Sequence, residues 1–451
     1  MRKIRFIPAI VLVFAAFSLQ AQSFQDAFFL DGYRLGYRDN PAFANDGKVL
    51  GVGQWSSRTR NNVGAAAFLY PAADGGLVTG LHESVPAKTF LGNLRQDNAV
   101  SGSVNYNLFS YGWRTDRAYH TLELNARVRY EASVPREIFR ILKLGTVQAY
   151  DDLGGMRAAG NACAEIAYGY SRKLSDVVSV GARAKLLLGL ESVRYEVTDL
   201  DVSFSQERYQ AILRAELDLT SRMGKIRTDA DGFLNVKDIS ARDKWRLPAG
   251  AGLAFDLGVV VTPAEGLTLS ASVLDLGALV WYYGNAGKSM GIVSFSGLQG
   301  VSVEQLRDGA LQEEVNRLKE EFLASLRIQG VERRVCFEAV PLTLNVGAKY
   351  ALPFCETLAV GLTGSYSGRG ATAYKEARAA VAWNPDRRLG ITANAGYGDY
   401  GPVYGAALSL GIRCFRLYVG LQNGFGGTVP YSGTPLKANN KTLTIGLTYD
   451  I

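Results

Sequence analysis

The stretch LTLSASVLDLGALVW, residues 267–281, fits neither of its obvious readings. Thr268, Ser270 and Ser272 break it too evenly for a fully buried strand, yet it is too rich in large apolar side chains to face water. Period-two alternation puts Leu267, Leu269, Ala271 and Val273 on one face and the hydroxyls on the other. The same alternation recurs along the chain. Leu443, Ile445, Leu447, Tyr449 and Ile451 oppose Thr442, Thr444, Gly446, Thr448 and Asp450, and Leu342, Leu344, Val346, Ala348 and Tyr350 oppose Thr343, Asn345, Gly347 and Lys349. Segments 178–188 and 415–422 repeat it.

Half-apolar strands fit a soluble sandwich, apolar face inward, or a membrane barrel, apolar face outward. Three features select the barrel. The strands run to about ten residues, as tilted membrane strands do, against five or six in soluble sheets. Their polar faces carry Gly, Ser and Thr where a solvated exterior carries Lys and Glu. Tyr168, Tyr170, Tyr350, Tyr366, Trp383, Tyr397 and Tyr449 gather near strand ends, as interfacial girdles do.

Short turns are expected at 171–176, 262–266, 353–356, 384–388 and 413–415, alternating with long loops at about 132–160, 196–248, 282–340 and 423–440. That is the up-and-down plan of an all-β outer-membrane barrel, with the short turns periplasmic. About fifteen candidate strands reduce to an expected 14 antiparallel ones, because such barrels carry an even number. Residues 22–47 are left outside the wall, and the place of the weakly alternating VLGVGQWSS (49–57) stays open. Otherwise 48–451 forms a single barrel domain.

The rest of the chain agrees with export. Arg2, Lys3 and Arg5 precede the short apolar run IPAIVLVFAAF (7–17), the layout of a signal peptide cleaved after Ala21. Losing those three cations takes the 49 Lys and Arg to 46 against 42 Asp and Glu, a net +4 that points to no nucleic-acid partner. Cys163, Cys336, Cys355 and Cys414 show no zinc or thioredoxin spacing, and the sequence leaves their pairing open.

Strict alternation would point Asp275 at lipid, which costs up to a few kcal/mol at mid-depth. A β-bulge near Val273 and Leu274 turns it inward. Asp256 on the partner strand already faces inward, and the two D-L-G triplets (256–258 and 275–277) mirror each other about the turn. Arg183 and Lys185 on the preceding strand are placed to neutralise both carboxylates. The cluster reads either as a structural ion network or as a ligand or cation site, since charges at membrane depth tend to be functional.

The stretches AYGYSRKLSDVVSVGARAKLLLGL (167–190), GLAFDLGVVVTPAEGLTLSASVLDLGALVW (252–281) and FLGNLRQDNAVSGSVNYNLFSYGWR (90–114) resemble an uncharacterised outer-membrane barrel family of Bacteroidetes type, known as a domain of unknown function. That family is allied to FadL-like fatty-acid transporters and to PorV-like barrels of type IX secretion. The resemblance implies an N-terminal luminal plug with an Asn-Pro-Ala signature, matched by Asn40, Pro41 and Ala42. Phe43 follows where the transporters usually carry Gly. The D-L-G-x-x-x-W ending, Asp275 to Trp281, is the more specific element. Independently, a barrel of this size is too wide for its own wall side chains to fill. Inward glycines such as Gly258, Gly361 and Gly390 either leave room for a plug or permit strand curvature.

No enzyme is expected: His82 and His120 are the only histidines, and neither lies in a catalytic or metal-binding context. No metal and no cofactor are expected. GNAGKS (284–289) lacks the first glycine of a P-loop and follows a wall strand, so it is set aside. The spacing predicts one helix over 301–328, with Leu311, Val315, Leu318, Phe322 and Leu326 as its apolar stripe. It reads as a lid over the outer mouth or as a docking face for a protein. The expected protein is a monomer of the cell outer membrane whose partners are its lipid and, during insertion, the barrel-assembly machinery. Its function is gated passive transport of a small hydrophobic ligand, or alternatively a PorV-like scaffold for a surface or secreted protein.

Overall fold

The computed structural model describes residues 24–72, 76–144, 154–204, 209–222, 224–228, 234–241, 248–295, 328–423 and 437–451. The expected signal peptide (1–21) and the helix with Leu311, Val315, Leu318, Phe322 and Leu326 lie outside them. The first seven wall strands are β1 (Val49–Asn61), β2 (Asp97–Arg114), β3 (Tyr119–Pro135), β4 (Arg157–Lys173), β5 (Val178–Phe204), β6 (Gly250–Ala264) and β7 (Leu267–Phe295). The second seven are β8 (Thr343–Leu352), β9 (Cys355–Ser367), β10 (Tyr374–Trp383), β11 (Leu389–Gly398), β12 (Gly401–Ile412), β13 (Phe415–Gln422) and β14 (Asn439–Asp450). Each pairs antiparallel with its chain neighbours, and β14 pairs with β1 from Val49↔Asp450 to Asn61↔Asn439, closing a 14-stranded up-and-down barrel among the described residues.

The faces settle which solvent the apolar stripes meet. Leu253, Phe255 and Leu257 on β6 are 56%, 46% and 50% exposed, and Val346, Leu362, Val381 and Leu447 continue the band around the wall. Their opposite-parity neighbours, including Ser272, Asn345, Thr363, Thr392 and Thr444, are buried inside. A continuous apolar exterior around a polar interior is stable in hydrocarbon and not in water. Tyr168, Tyr170, Tyr350, Trp383 and Tyr449 are exposed near the end that carries the short turns, and Tyr366 and Tyr397 near the other. Among the described residues no helix is long and apolar enough to cross a membrane, so the crossing is made by strands. Leu257→Arg is accordingly expected to lose about 2–4 kcal/mol of folding stability in lipid. Urea titration in vesicles reads this, and a change near zero would place Leu257 off the lipid face.

The short-turn end is capped by local hydrogen bonds. In the 384–388 turn the Asp386 carboxylate accepts the backbone N–H groups of Leu389 and Arg388 at 2.8 and 2.7 Å, which hold it below the usual carboxylate range.

The structure adds to the sequence reading at three points. VLGVGQWSS (49–57), left open by its alternation, belongs to the wall as β1. Its alternation reads poorly because the register slips between Val52 and Trp55, with Gly53 at φ +72°, so inward parity passes from Gly51 to Gln54. The expected loops 196–248 and 282–340 are, where described, largely strand. A strand at Tyr209–Ser221 bridges the outer parts of β5 and β7, and another at Ile328–Ala339 pairs with β7, so the sheet continues outward above β6 and β8. These segments carry charge at both parities, as in Arg194, Glu196, Asp199 and Asp201, so no apolar stripe marks them as strand. GNAGKS is extended within β7. The third point is an outer unit that the sequence reading passed over, between β1 and β2. A hairpin (Leu69–Pro71, Leu77–Thr79) and the helix Ala87–Gly92 pack with the helix Arg136–Leu144 around Phe90, with Phe68 and Phe139 5.4 Å apart.

Candidate functional site: the plug and the luminal ion network

Residues 24–46 run inside the barrel, consistent with a plug. Their apolar side chains cannot reach lipid, so they pack on one another and on the few large inward wall residues. Phe29, Leu35 and Tyr37 are buried, Tyr33 lies 4.4 Å from Tyr418 and Phe28 lies 6.0 Å from Phe43. The polar residues bond to the wall. Asp26 accepts from Gln422 Nε2 at 2.7 Å and from Asn394. Burial pushes its carboxyl up to about 7, against the lowering by Gln422, Arg378 and Asn394. Arg34 grips Asp450, the last residue of β14, with two bonds of 3.0 Å, and Arg416 Nε donates to the same carboxylate at 2.7 Å.

Asn40, Pro41 and Ala42 lie where β5, β6 and β7 meet. Asn40 Nδ2 donates to Ser270 Oγ (2.8 Å), Val259 O (3.0 Å) and Ala271 O (3.1 Å), while its Oδ1 accepts the Ala42 N–H at 2.9 Å. The paired glycines Gly181 and Gly258 make this approach possible. A Cβ on Gly258 would stand 1.9 Å from Asn40 Oδ1, and one on Gly181 2.1 Å from Pro41 O. At these two positions the small residue admits the plug.

Above that contact lies a buried ionic chain. Arg38 Nε, from the plug, lies 2.9 Å from Glu123 Oε2, and Arg183 Nη2 lies 2.7 Å from Glu123 Oε1. Arg183 Nη1 donates to Asp256 Oδ2 at 3.0 Å, and Lys185 Nζ bridges Asp256 (2.6 Å) and Asp275 (2.7 Å). Arg127 donates to both Asp275 oxygens at 2.9 and 2.6 Å and pairs with Glu165, and Arg129 adds a bond of 3.1 Å to Asp275. The structure thus brings Arg183, Lys185, Asp256 and Asp275 into one cluster. The register slips between Phe255/Leu276 and Leu257/Val273, and Asp275 sits at φ +63°, so the bulge turns its carboxylate inward. Asp256 Oδ1 also accepts the Asp275 N–H at 2.8 Å.

Sequence reasoning missed Arg38, Glu123, Arg127, Arg129 and Glu165. For the wall residues the signal was present: in HTLELNARVRY (120–130) Glu123, Asn125, Arg127 and Arg129 alternate with Leu122, Leu124, Ala126 and Val128. The chain counts five cations (Arg38, Arg127, Arg129, Arg183, Lys185) against four anions (Glu123, Glu165, Asp256, Asp275). Farther out, Trp281 is fully buried, its Nε1 donating to Glu338 at 2.7 Å while its ring covers Gly189, whose Cβ would lie 2.5 Å from it. Both ends of the D-L-G-x-x-x-W signature therefore do luminal work.

Two cavities flank the plug. An inner one of about 400 Å³ is lined by plug residues with Thr268, Lys349 and Arg387, and an outer one of about 210 Å³ by wall residues including Asp275 and Thr343. Along β7 the order is Thr268 at the inner cavity, Ser270 and Ser272 bonded to the plug, then Asp275 at the outer cavity. On β8 it is Lys349, then Asn345 bonded to Asp39 O, then Thr343. Among the described residues no group of His, Cys, Asp and Glu suits a metal ion, and all four cysteines are free thiols.

Fold and lumen together define a plugged β-barrel of the outer-membrane type. The chain belongs to the family of unknown function DUF5723, whose pattern it matches over residues 41–422. No match is found among curated proteins. Among solved structures it is similar to the Pseudomonas putida toluene transporter TodX (10% identity, 92% of this chain and 93% of that one, TM-score 0.44). It is also similar to a Pseudomonas aeruginosa FadL homologue (12%, 94% and 95%, 0.43) and to the Ralstonia pickettii toluene transporter TbuX (8%, 92% and 92%, 0.41).

Proposed function

We propose that this protein is a passive outer-membrane transporter that takes a small ligand into the outer cavity and passes it inward when the plug yields. The observation that supports this best is the pair of cavities on either side of the plug's bonds to the wall, read in order along β7 and β8. The outer cavity is lined mainly by polar and charged side chains, which favours a polar ligand over the hydrophobic one that the FadL-like resemblance implies. The reading assigns no catalysis. His82 bonds to Ser84, and His120 to Tyr168 at 2.8 Å, both away from the two cavities.

Proteoliposomes carrying the full chain test this with a panel of small neutral and anionic solutes. Entry of at least one solute above protein-free vesicles supports the reading, and no entry of any overturns it. In that event the scaffold alternative gains, and its support is the outer unit around Phe90, where Leu77, Leu142 and Leu144 are more than half exposed.

A further inference from the structure

We infer that the outer cavity is a binding site for a small ligand carrying clustered oxyanions, phosphate or carboxylate, with Arg58 and Arg60 as its principal holders. The inference rests on the uptake reading for its role in transport, but not for binding itself.

Charge comes first. Arg58, Arg60, Arg127, Arg129 and Arg369 line the cavity, against Glu131, Asp275 and Glu338. Five cations against three anions leave an excess of two. The three carboxylates are moreover engaged. Asp275 is bound by Lys185, Arg127 and Arg129, Glu131 pairs with Arg157 at 2.8 Å, and Glu338 accepts from Trp281 and Asn161.

Arg60 is the sharpest case. It is 8% exposed, and its named hydrogen-bond acceptors are all neutral: Asn440 Oδ1 at 3.2 Å, Ser367 O at 3.1 Å and Ser367 Oγ at 2.5 Å. Its guanidinium lies 4.9 Å above the Tyr374 ring. Its hydrogen bonds go to neutral dipoles, so beside the longer-range attraction of Glu376 an oxyanion in the cavity is a partner that would balance its charge.

Position comes second. Arg58 and Arg60 share the inward face of β1, two residues or roughly 7 Å apart along the strand. Ser103 and Ser101 stand opposite them on β2. A rigid pair of planar forks backed by hydroxyls suits a ligand with two oxyanion groups better than a single ion. The volume of about 210 Å³ admits a small molecule. The shared chemistry could be supplied by a free solute or by the phosphate headgroup of a lipid.

The test is calorimetric titration of the full chain in neutral detergent with inorganic pyrophosphate, repeated for Arg58→Gln/Arg60→Gln and for Arg60→Lys. Wild type is expected to bind saturably and more weakly as salt rises. The double variant should weaken binding about a hundredfold, roughly tenfold per guanidinium, while Arg60→Lys, which keeps the charge but loses the fork, should fall between wild type and the double variant. An unchanged heat-modified mobility shows that the variants are folded. In a competition arm, displacement of pyrophosphate by phosphatidylglycerol nanodiscs but not phosphatidylcholine ones identifies a headgroup, and displacement by neither identifies a free solute. Either result supports the site. No saturable binding, or equal binding by the folded double variant, overturns it. Pyrophosphate binding without solute entry would leave the site standing and remove the uptake reading. Entry of neutral solutes without anion binding would do the reverse.

Discussion

Arg183→Met is expected to cost the folded barrel about 3–5 kcal/mol, because it strands two buried carboxylates at once. Glu123 and Asp256 are 1% and 0% exposed, and Arg183 bridges them at 2.7 and 3.0 Å. Methionine matches the stem of the side chain, so little of the loss is packing. What remains is a pair of anions whose remaining cations are Arg38 and Lys185. Urea unfolding in lipid vesicles measures the loss, and heat-modified electrophoretic mobility checks that a folded fraction exists. Adding Glu123→Gln removes one stranded charge and should recover a substantial part of it. A single-variant loss below about 1 kcal/mol would mean that the network is wet and screened like a surface pair.

The second large effect concerns the plug. Arg34 and Arg38 are its basic anchors, one on Asp450 near the inner rim and one on Glu123 in the network, beside the more exposed ion pairs of Asp31 with Lys349 and of Asp46 with Arg387. Charge-assisted bonds of this kind contribute about 1.5–3 kcal/mol each. Arg34→Ala/Arg38→Ala should therefore raise the population with the plug displaced ~100-fold or more. In planar bilayers this appears as frequent open-channel events where wild type stays mostly closed. The wall should remain stable, because Glu123 keeps Arg183 and Asp450 keeps Arg416. Equal opening frequencies in variant and wild type would show that the remaining contacts, those of Asn40, Asp26 and the aromatic packing among them, hold the plug without these two arginines.

These two variants also mark how far alternation reads. Arg183 and Lys185 were placed inward beside Asp256 and Asp275 by parity and by the mirrored D-L-G triplets, and the bulge at Asp275 followed from the cost of aiming a carboxylate at lipid. Glu123, Arg127 and Arg129 obey the same parity but carried no motif to single them out. Arg38 had no signal at all. It lies in a segment without regular alternation, and its partner is 85 residues away in the chain.

The limits of the wall follow the same logic. Where one face meets hydrocarbon, as at Leu253, Phe255 and Leu257, the stripe is unmistakable. Where the strands pass beyond the membrane, at 191–204 and 285–295, neither face is held to one polarity and the strands went unrecognised. β1 was doubted because one inserted residue at Gly53 breaks a strict count of two.

Lipid on one side and a polar interior on the other wrote themselves into the chain as period two, so outward and inward faces, turn ends and strand class could be read from residues alone. Closure of β14 on β1, the plug's seat over Gly181 and Gly258, and the joining of nine charges into one network could not. Each depends on contacts between residues far apart in the chain, and local alternation carries no record of which distant strand or segment a side chain will meet.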